Sequence, residues 1–511
     1  MRKYLMTLAA VLCCATTLVL SSCNAVDDIP VKNSDTDQLA DYTIIYYANG
    51  GGNVDKCILP MINDFYNAKA ESYKYVNVVV QYKYSTAENM KKQSLFEEDF
   101  CDEWGGKTVR WAIDPQKNMA TQMGDPGNIY GADNADLACP DSLTNLINWA
   151  AKNYPAKNYM LILNDHGGGY TPDDELPEQA SATRGLLYDD GNKINNRDKH
   201  FTAKSLKRAI TNANVRLQTI YMLACLMNNL EYQFELKDLC DYVIASTYSM
   251  PATGGALGLL PEALSMYYND IEWVLSTYCK IDVETWEDEI DPNEPFYTDL
   301  TVTRTANLDK LGEMMREFTD RLCNTYTNGT EKQKQLIDSC TAHAVKVEAC
   351  RPSYDVAKYM SSIINALPEV YDDEFYLKMA ETFNSCLLAQ NYSSYLTNHD
   401  YMVDYSVMLG VEGTYLYIIS ADDGYTPVSF KACHPDGTSD YYSLTPNDDG
   451  TSYTAEFIRD LAPWGSTLDN TYGQLEFDRI VGWSRWLKLN RQQPNLACPS
   501  AMNLNLPEPN K

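Results

Sequence analysis

Two segments of this sequence each carry an apolar run into a residue that can do acid–base or nucleophilic chemistry. Leu161-Ile162-Leu163 leads into Asn164-Asp165-His166-Gly167-Gly168-Gly169, and Ile220-Tyr221-Met222-Leu223 leads into Ala224-Cys225-Leu226-Met227. A thiol is a modest nucleophile until it loses its proton, and an imidazole can take that proton and later hand it to a leaving amine. His166 is thus the candidate general base and Cys225 the candidate nucleophile. Glycine behind the histidine has its own use: with no side chain, Gly167 lets a substrate carbonyl approach the backbone, where its N–H and that of Cys225 can face a developing oxyanion. Of the five histidines only His166 stands at a strand end followed by glycines; His200, His343, His399 and His434 occupy polar or helical settings.

The elements that must hold this pair are short apolar runs alternating with helical stretches. Runs at Thr43–Tyr47, Tyr75–Tyr82, Thr108–Ile113, Tyr159–Leu163, Leu217–Leu223 and Tyr242–Ser246 predict strands. Helical patterns fall between them, from about Asp55, over Ser142–Lys152 and Ala203–Ala213, and from about Met227 to Leu239. Such alternation predicts an α/β fold, a mainly parallel sheet covered by helices on both faces. In open α/β sheets the working site lies at the carboxyl ends of the strands, which is where His166 and Cys225 stand. A helix beginning near Met227 would also set its positive end by Cys225 and favour the thiolate. Asp282–Glu294, acidic and containing proline, reads as a surface loop. Residues 308–398 are helical by period, and short strands with turn signals such as Asn447-Asp448-Asp449-Gly450 follow.

The first residues read as an export signal over 1–22. Arg2 and Lys3 precede an apolar stretch to about Leu20, too short to span a membrane, and Leu20-Ser21-Ser22-Cys23 resembles the bacterial lipobox. That pattern implies lipidation of Cys23 and a polar tether over 23–40. A core over 41–306 and a helical and short-strand part over 307–511 complete the expected organisation. The expected location is the outer membrane or cell surface of a bacterium. The net charge of −29 lacks the basic footprint that nucleic acid requires. The 15 cysteines include no CxxC pair, so no metal site is expected from them.

The two central motifs, with Glu231 on the helix after the cysteine, resemble the signature blocks of clostripain-type cysteine peptidases. Asn53 after the first strand, Tyr154-Pro155-Ala156, the stretch Ser246–Gly255, Tyr354-Asp355-Val356, and Tyr472-Gly473-Gln474-Leu475 with Trp483 and Trp486 follow the family's order. The resemblance implies a caspase-like mixed sheet between helices and a His/Cys dyad at His166 and Cys225 without an essential third acid. It further implies peptide or protein substrates. Some relatives are cut between the two blocks, where Arg184, Lys193, Arg197 and Lys199 lie here, and some need calcium. No calcium-loop pattern occurs in this chain, and no other cofactor is expected.

The chain departs from the family at one telling position. Relatives carry Asp two residues before the nucleophile as a counter-charge in the specificity pocket, and here that residue is Leu223. A buried cationic side chain needs a paired carboxylate, so the pocket is expected to favour an uncharged residue. Ser249–Gly258 supplies no acid, and Asp189 or Asp190 would be the more distant source of one. Two other hydrolase or nucleotide readings fail on motif: no Gly-x-Ser-x-Gly elbow accompanies the His-Gly-Gly-Gly run, and Cys101 replaces the first glycine of a phosphate loop ending at Gly106-Lys107-Thr108. The remaining alternative is an inactive surface binding protein on a peptidase fold.

Overall fold

The computed structural model describes residues 39–49, 54–84, 106–131, 135–170, 185–194, 197–251, 255–290, 296–345, 347, 353–408, 415–420, 427–433, 439–446, 453–461 and 472–490. The proposed export signal, Cys23 and nearly all of the tether lie outside these residues, as do Asn53, Arg184 and the turn at 447–450. Among the described residues no helix is long and apolar enough to cross a membrane.

The strands are β1 (Ala40–Asn49), β2 (Val76–Lys83), β3 (Thr108–Ala112), β4 (Ile129–Tyr130), β5 (Ala156–Asn164), β6 (Leu186–Ile194), β7 (Arg197–Phe201), β8 (Thr219–Leu223), β9 (Tyr242–Ala245), β10 (Asp299–Arg304), β11 (Ser353–Asp355), β12 (Leu387–Tyr392) and β13 (Ser406–Met408). Nine of them form one sheet in the order β12-β10-β9-β8-β5-β1-β2-β3-β4. The central strands β9, β8, β5, β1 and β2 run parallel, and antiparallel strands extend both margins. The parallel centre is what the alternating runs predict, and the antiparallel margins make the sheet mixed, as the resemblance implies. Downstream, β14 (Tyr415–Ser420), β15 (Pro427–Cys433), β16 (Ser439–Pro446) and β17 (Tyr453–Leu461) make a separate four-stranded antiparallel sheet.

Because side chains alternate along a strand, each central strand feeds two cores. Ile45, Leu161, Leu163, Ile220 and Met222 join one cluster, which the helices Pro140–Asn153, Ala203–Ala213 and Leu308–Asn328 cover. Ile44, Tyr46, Met160, Ile162, Tyr221 and Leu223 join the other, under the helices Asp55–Asn67, Leu259–Met266 and Ile271–Glu289. Both faces are therefore buried, as near-continuous apolar strands demand.

Three expectations change. The acidic stretch from Asp282 continues the helix Ile271–Glu289 as far as Glu289, and Asp282 itself is buried. Val274, Tyr278, Cys279 and Trp286 recur at helical spacing and supply the apolar face that the acidic residues obscure. The polar stretch before Ala203 contains the two-stranded sheet β6–β7. Finally, the helix after the cysteine begins at Leu230, with Asn229 as its cap through a bond from Tyr232 N at 3.0 Å.

Candidate active site

Parallel pairing of β5 with β8 ends on Asn164 opposite Leu223. His166 and Cys225 each stand two residues beyond that last pair, so neighbouring strands, spaced about 4.8 Å apart, deliver both groups to one edge. Contact between the two segments is direct. A Cβ added to Gly167 would lie 2.2 Å from the Cys225 carbonyl oxygen and 2.9 Å from its amide nitrogen, so only glycine fits. Gly169, at φ +73°, turns the chain where its missing Cβ would stand 3.4 Å from the Leu226 carbonyl oxygen.

Gly167 forms an isolated antiparallel bridge with Leu186. Its ladder bonds run from Gly168 N to Gly185 O at 2.8 Å and from Leu187 N to His166 O at 3.1 Å, leaving the Gly167 N–H outside the ladder. The first strand of the β6–β7 hairpin thus holds the histidine loop by its backbone. Tyr188 lies edge-on to the His166 ring at 6.4 Å, and His200 lies behind Tyr188 at 5.1 Å. His166 is exposed, yet enough protein surrounds it that lost solvation lowers its pKa below the ordinary value.

Cys225, half-buried, lies in the turn between β8 and the helix Leu230–Leu236. The expected assistance from a helix N-terminus is therefore corrected: that helix starts five residues later and is only 7 residues long. A different donor addresses the sulfur. Met250 N–H points to Sγ at 3.2 Å, and the Met250 carbonyl stands 3.7 Å from it, so the thiol has an acceptor and the thiolate a donor. Leu226, next in the chain, sits at φ 66°, a left-handed conformation that costs a branched residue about 1–2 kcal/mol. Leu226 N bonds Tyr248 O at 3.0 Å and Asn228 N bonds Ser246 O at 2.8 Å, which hold the turn in that shape.

Sequence reasoning missed the residue that organises this wall. Asp299, buried at the start of β10, accepts from Ser246 Oγ and Thr247 N at 2.8 Å each and from Tyr248 N at 3.1 Å. It fixes the segment that carries Met250 to the sulfur. Burial outweighs these donors and pushes its carboxyl up to about 6. A single Asp opening an apolar strand gives no sign of this in the sequence.

Leu223 is buried in the same apolar cluster as Tyr221, Tyr278 and Trp286. Asp189 is tied elsewhere, accepting from Lys83 Nζ at 2.6 Å and Leu137 N at 2.8 Å. Two acids meet the 255–258 stretch instead: Asp64, whose Oδ2 accepts from Gly258 N at 2.5 Å, and Asp282. The Asp282 Oδ1 accepts from Ala256 N at 2.6 Å and its Oδ2 from Tyr221 and Tyr278 hydroxyls at 3.0 and 3.2 Å. Burial raises its carboxyl to about 6. Glu231 is buried and accepts from Tyr472 Oη at 2.8 Å, joining the late block to the cysteine helix. Lys199 pairs with Asp136 at 2.6 Å. Among the described residues no group of three or more His, Cys, Asp or Glu side chains is placed to hold a metal ion.

A model of the clostripain family, Peptidase C11, matches residues 47–425, which span both strand ends. The chain belongs to the clostripain family. It is a cysteine peptidase by that membership, and its substrates are peptides or proteins. Two solved clostripain-family structures share its fold. One is a secreted C11 cysteine protease from Bacteroides thetaiotaomicron in complex with an irreversible peptide inhibitor, 15% identical, with a TM-score of 0.51 over 87% of this chain and 99% of that one. The other is an inactive zymogen C11 protease from Parabacteroides distasonis, 14% identical, with a TM-score of 0.50 over 87% and 99% of the two chains. No curated protein matches the chain.

Proposed function

We propose that this clostripain-family peptidase cleaves peptide bonds with Cys225 as nucleophile and His166 as general base, and that it prefers an uncharged residue before the scissile bond. The observation that carries the dyad is the fit of Gly167 against the Cys225 peptide, which leaves no room for a side chain between the two strand ends. In the reaction His166 takes the thiol proton, and the sulfur attacks the carbonyl carbon. The resulting oxyanion lies before the N–H groups of Gly167 and Cys225. Collapse breaks the C–N bond, and His166 protonates the departing amine. Water, deprotonated by His166, then releases the acyl group from sulfur. The Met250 N–H supports this reading, since a donor to sulfur favours the thiolate.

The preference for an uncharged residue rests on Leu223, apolar where a counter-charge would be needed. Asp282 does not replace that charge, because both its oxygens are occupied by internal donors. The lipobox-like segment ending at Cys23 supports export and lipid anchoring, in keeping with the relative described as secreted. Peptide hydrolysis by wild type, Cys225→Ala and His166→Ala tests the dyad: both variants should lose essentially all turnover while keeping the fold, and near-normal turnover in either defeats it. Fluorogenic substrates ending in Arg, Lys, Leu, Ala or Asn test the pocket, where a clear advantage for Arg or Lys defeats the preference.

A further inference from the structure

Three tyrosines and a histidine form an exposed stacked surface that no step of the chemistry uses. Tyr297 and Tyr395 lie 4.7 Å apart between ring centroids, Tyr395 and His399 stack at 4.1 Å, His399 and Tyr401 stack at 5.8 Å, and Tyr401 returns to Tyr297 at 6.4 Å. Tyr297 and Tyr401 are 41% and 46% exposed, a large area of ring to leave in water.

Two observations connect this surface to the nucleophile. Tyr395 and the neighbouring His399 belong to the short helix Ser394–Asn398 and its cap, and Leu396 of that helix packs in one apolar cluster with Leu226 and Tyr248, against which Cys225 itself lies. Tyr248 Oη also bonds the Tyr401 carbonyl, and two residues on from Tyr248 the Met250 N–H meets the Cys225 sulfur. An extended peptide advances about 3.3 Å per residue. The rings therefore lie within reach of side chains two to four residues from the bond being cut. Lys358 Nζ bonds the Asp400 and Met402 carbonyls on either side of Tyr401, at 3.2 and 3.1 Å, and so sets a positive charge beside this surface.

We propose that Tyr297, Tyr395, His399 and Tyr401 form a subsite for an aromatic or branched aliphatic side chain of the peptide substrate, two to four residues before the scissile bond. The proposal rests on the peptidase reading above and adds a second selectivity, separate from that of Leu223. Tetrapeptide fluorogenic substrates sharing one final residue, with Tyr, Leu, Gly or Asp at each of the three preceding positions, test it. At one position wild type should favour Tyr or Leu over Gly or Asp by about tenfold in kcat/KM, the discrimination that one aromatic contact of about 1.4 kcal/mol supplies. Tyr401→Ala and Tyr297→Ala should each bring that ratio to within about twofold, whereas Tyr376→Ala, at another exposed tyrosine, should leave it intact. The Cys225→Ala protein, titrated with the same peptides, separates this claim from catalysis: its binding ratios judge the subsite even if wild type hydrolyses nothing. No preference at any of the three positions, or one that survives both tyrosine variants, overturns the proposal.

Discussion

The two walls of the site are built by different means. The cysteine wall is a buried polar lattice. Asn228 donates to Thr247 Oγ1 at 3.0 Å and to Asp404 O at 2.8 Å and accepts from Gln233 at 2.9 Å, while Asp299 gathers three donors from 246–248. Among the described residues the histidine wall is held by a short backbone bridge to Leu186, two glycines pressed on the cysteine turn, the edge of Tyr188 and, at its base, the Asn164 side chain donating to Tyr46 Oη. The cysteine wall suits the role proposed for Cys225. A nucleophile must keep a fixed line of attack, and satisfied buried networks are rigid.

The first way to break this comparison is at the seam. Gly167→Ala places a Cβ inside the Cys225 carbonyl, so the strand ends must part by about an ångström, and misplacement on that scale costs about a hundredfold or more in kcat/KM. Kinetics of the purified variant check this, and turnover within a few-fold of wild type would show that the seam does not set the geometry. Next comes the lattice. Asp299→Ala strands three buried donors and should lower unfolding stability by about 2–4 kcal/mol in denaturant titration, and it should slow alkylation of Cys225 because the Met250 segment loosens. A stable variant with normal thiol reactivity would assign the rigidity elsewhere.

Buried carboxyls predict a pH dependence. Burial raises the carboxyls of Asp282 and Asp299 to about 6 and that of Asp355 to about 7. An acid whose folded pKa lies above its unfolded value binds its proton more tightly when folded. It therefore costs stability increasingly as pH climbs from about 4 through its folded pKa, and the cost is complete above it. Asp355→Asn should flatten that fall between about pH 4 and 7, by an amount on the order of 2–4 kcal/mol. An unchanged slope in melting experiments across this range would contradict the assignment. The smallest effect is expected at the histidine wall. Lost solvation depresses the His166 pKa, so the neutral base persists to lower pH and the acid limb of kcat/KM should fall below the ordinary histidine value of about 6.5. Tyr188→Ala should admit water and move that limb upward by a fraction of a unit, and a downward move would argue against burial as the cause.

Much of this was legible because strands buried on both faces must be apolar throughout, and those runs end at a histidine and a cysteine. The register that brings Asn164 opposite Leu223 was not legible, since nothing in either run fixes how far one strand slides along the other. Polarity hid the β6–β7 hairpin: Leu186–Ile194 includes Asp189, Asp190, Asn192 and Lys193, residues poor in strand propensity, and only pairing makes them a strand. The helix start was misplaced because Leu226, Met227 and Leu230 keep helical spacing while the chain holds Leu226 at positive φ, and Asn229 is the cap that marks the true start. Asp282 was hidden in the opposite sense, a charge that reads as solvent-facing and instead anchors Ala256 N.

The most direct test of the central claim is the rate at which iodoacetamide alkylates Cys225 as a function of pH, in wild type and in His166→Ala. Paired groups at the joined strand ends predict a wild-type rate that is already high well below the free-thiol pKa of about 8.5, and a collapse of that advantage in His166→Ala. If Cys225 reacts like a free thiol in both proteins, His166 and Cys225 do not act as a pair.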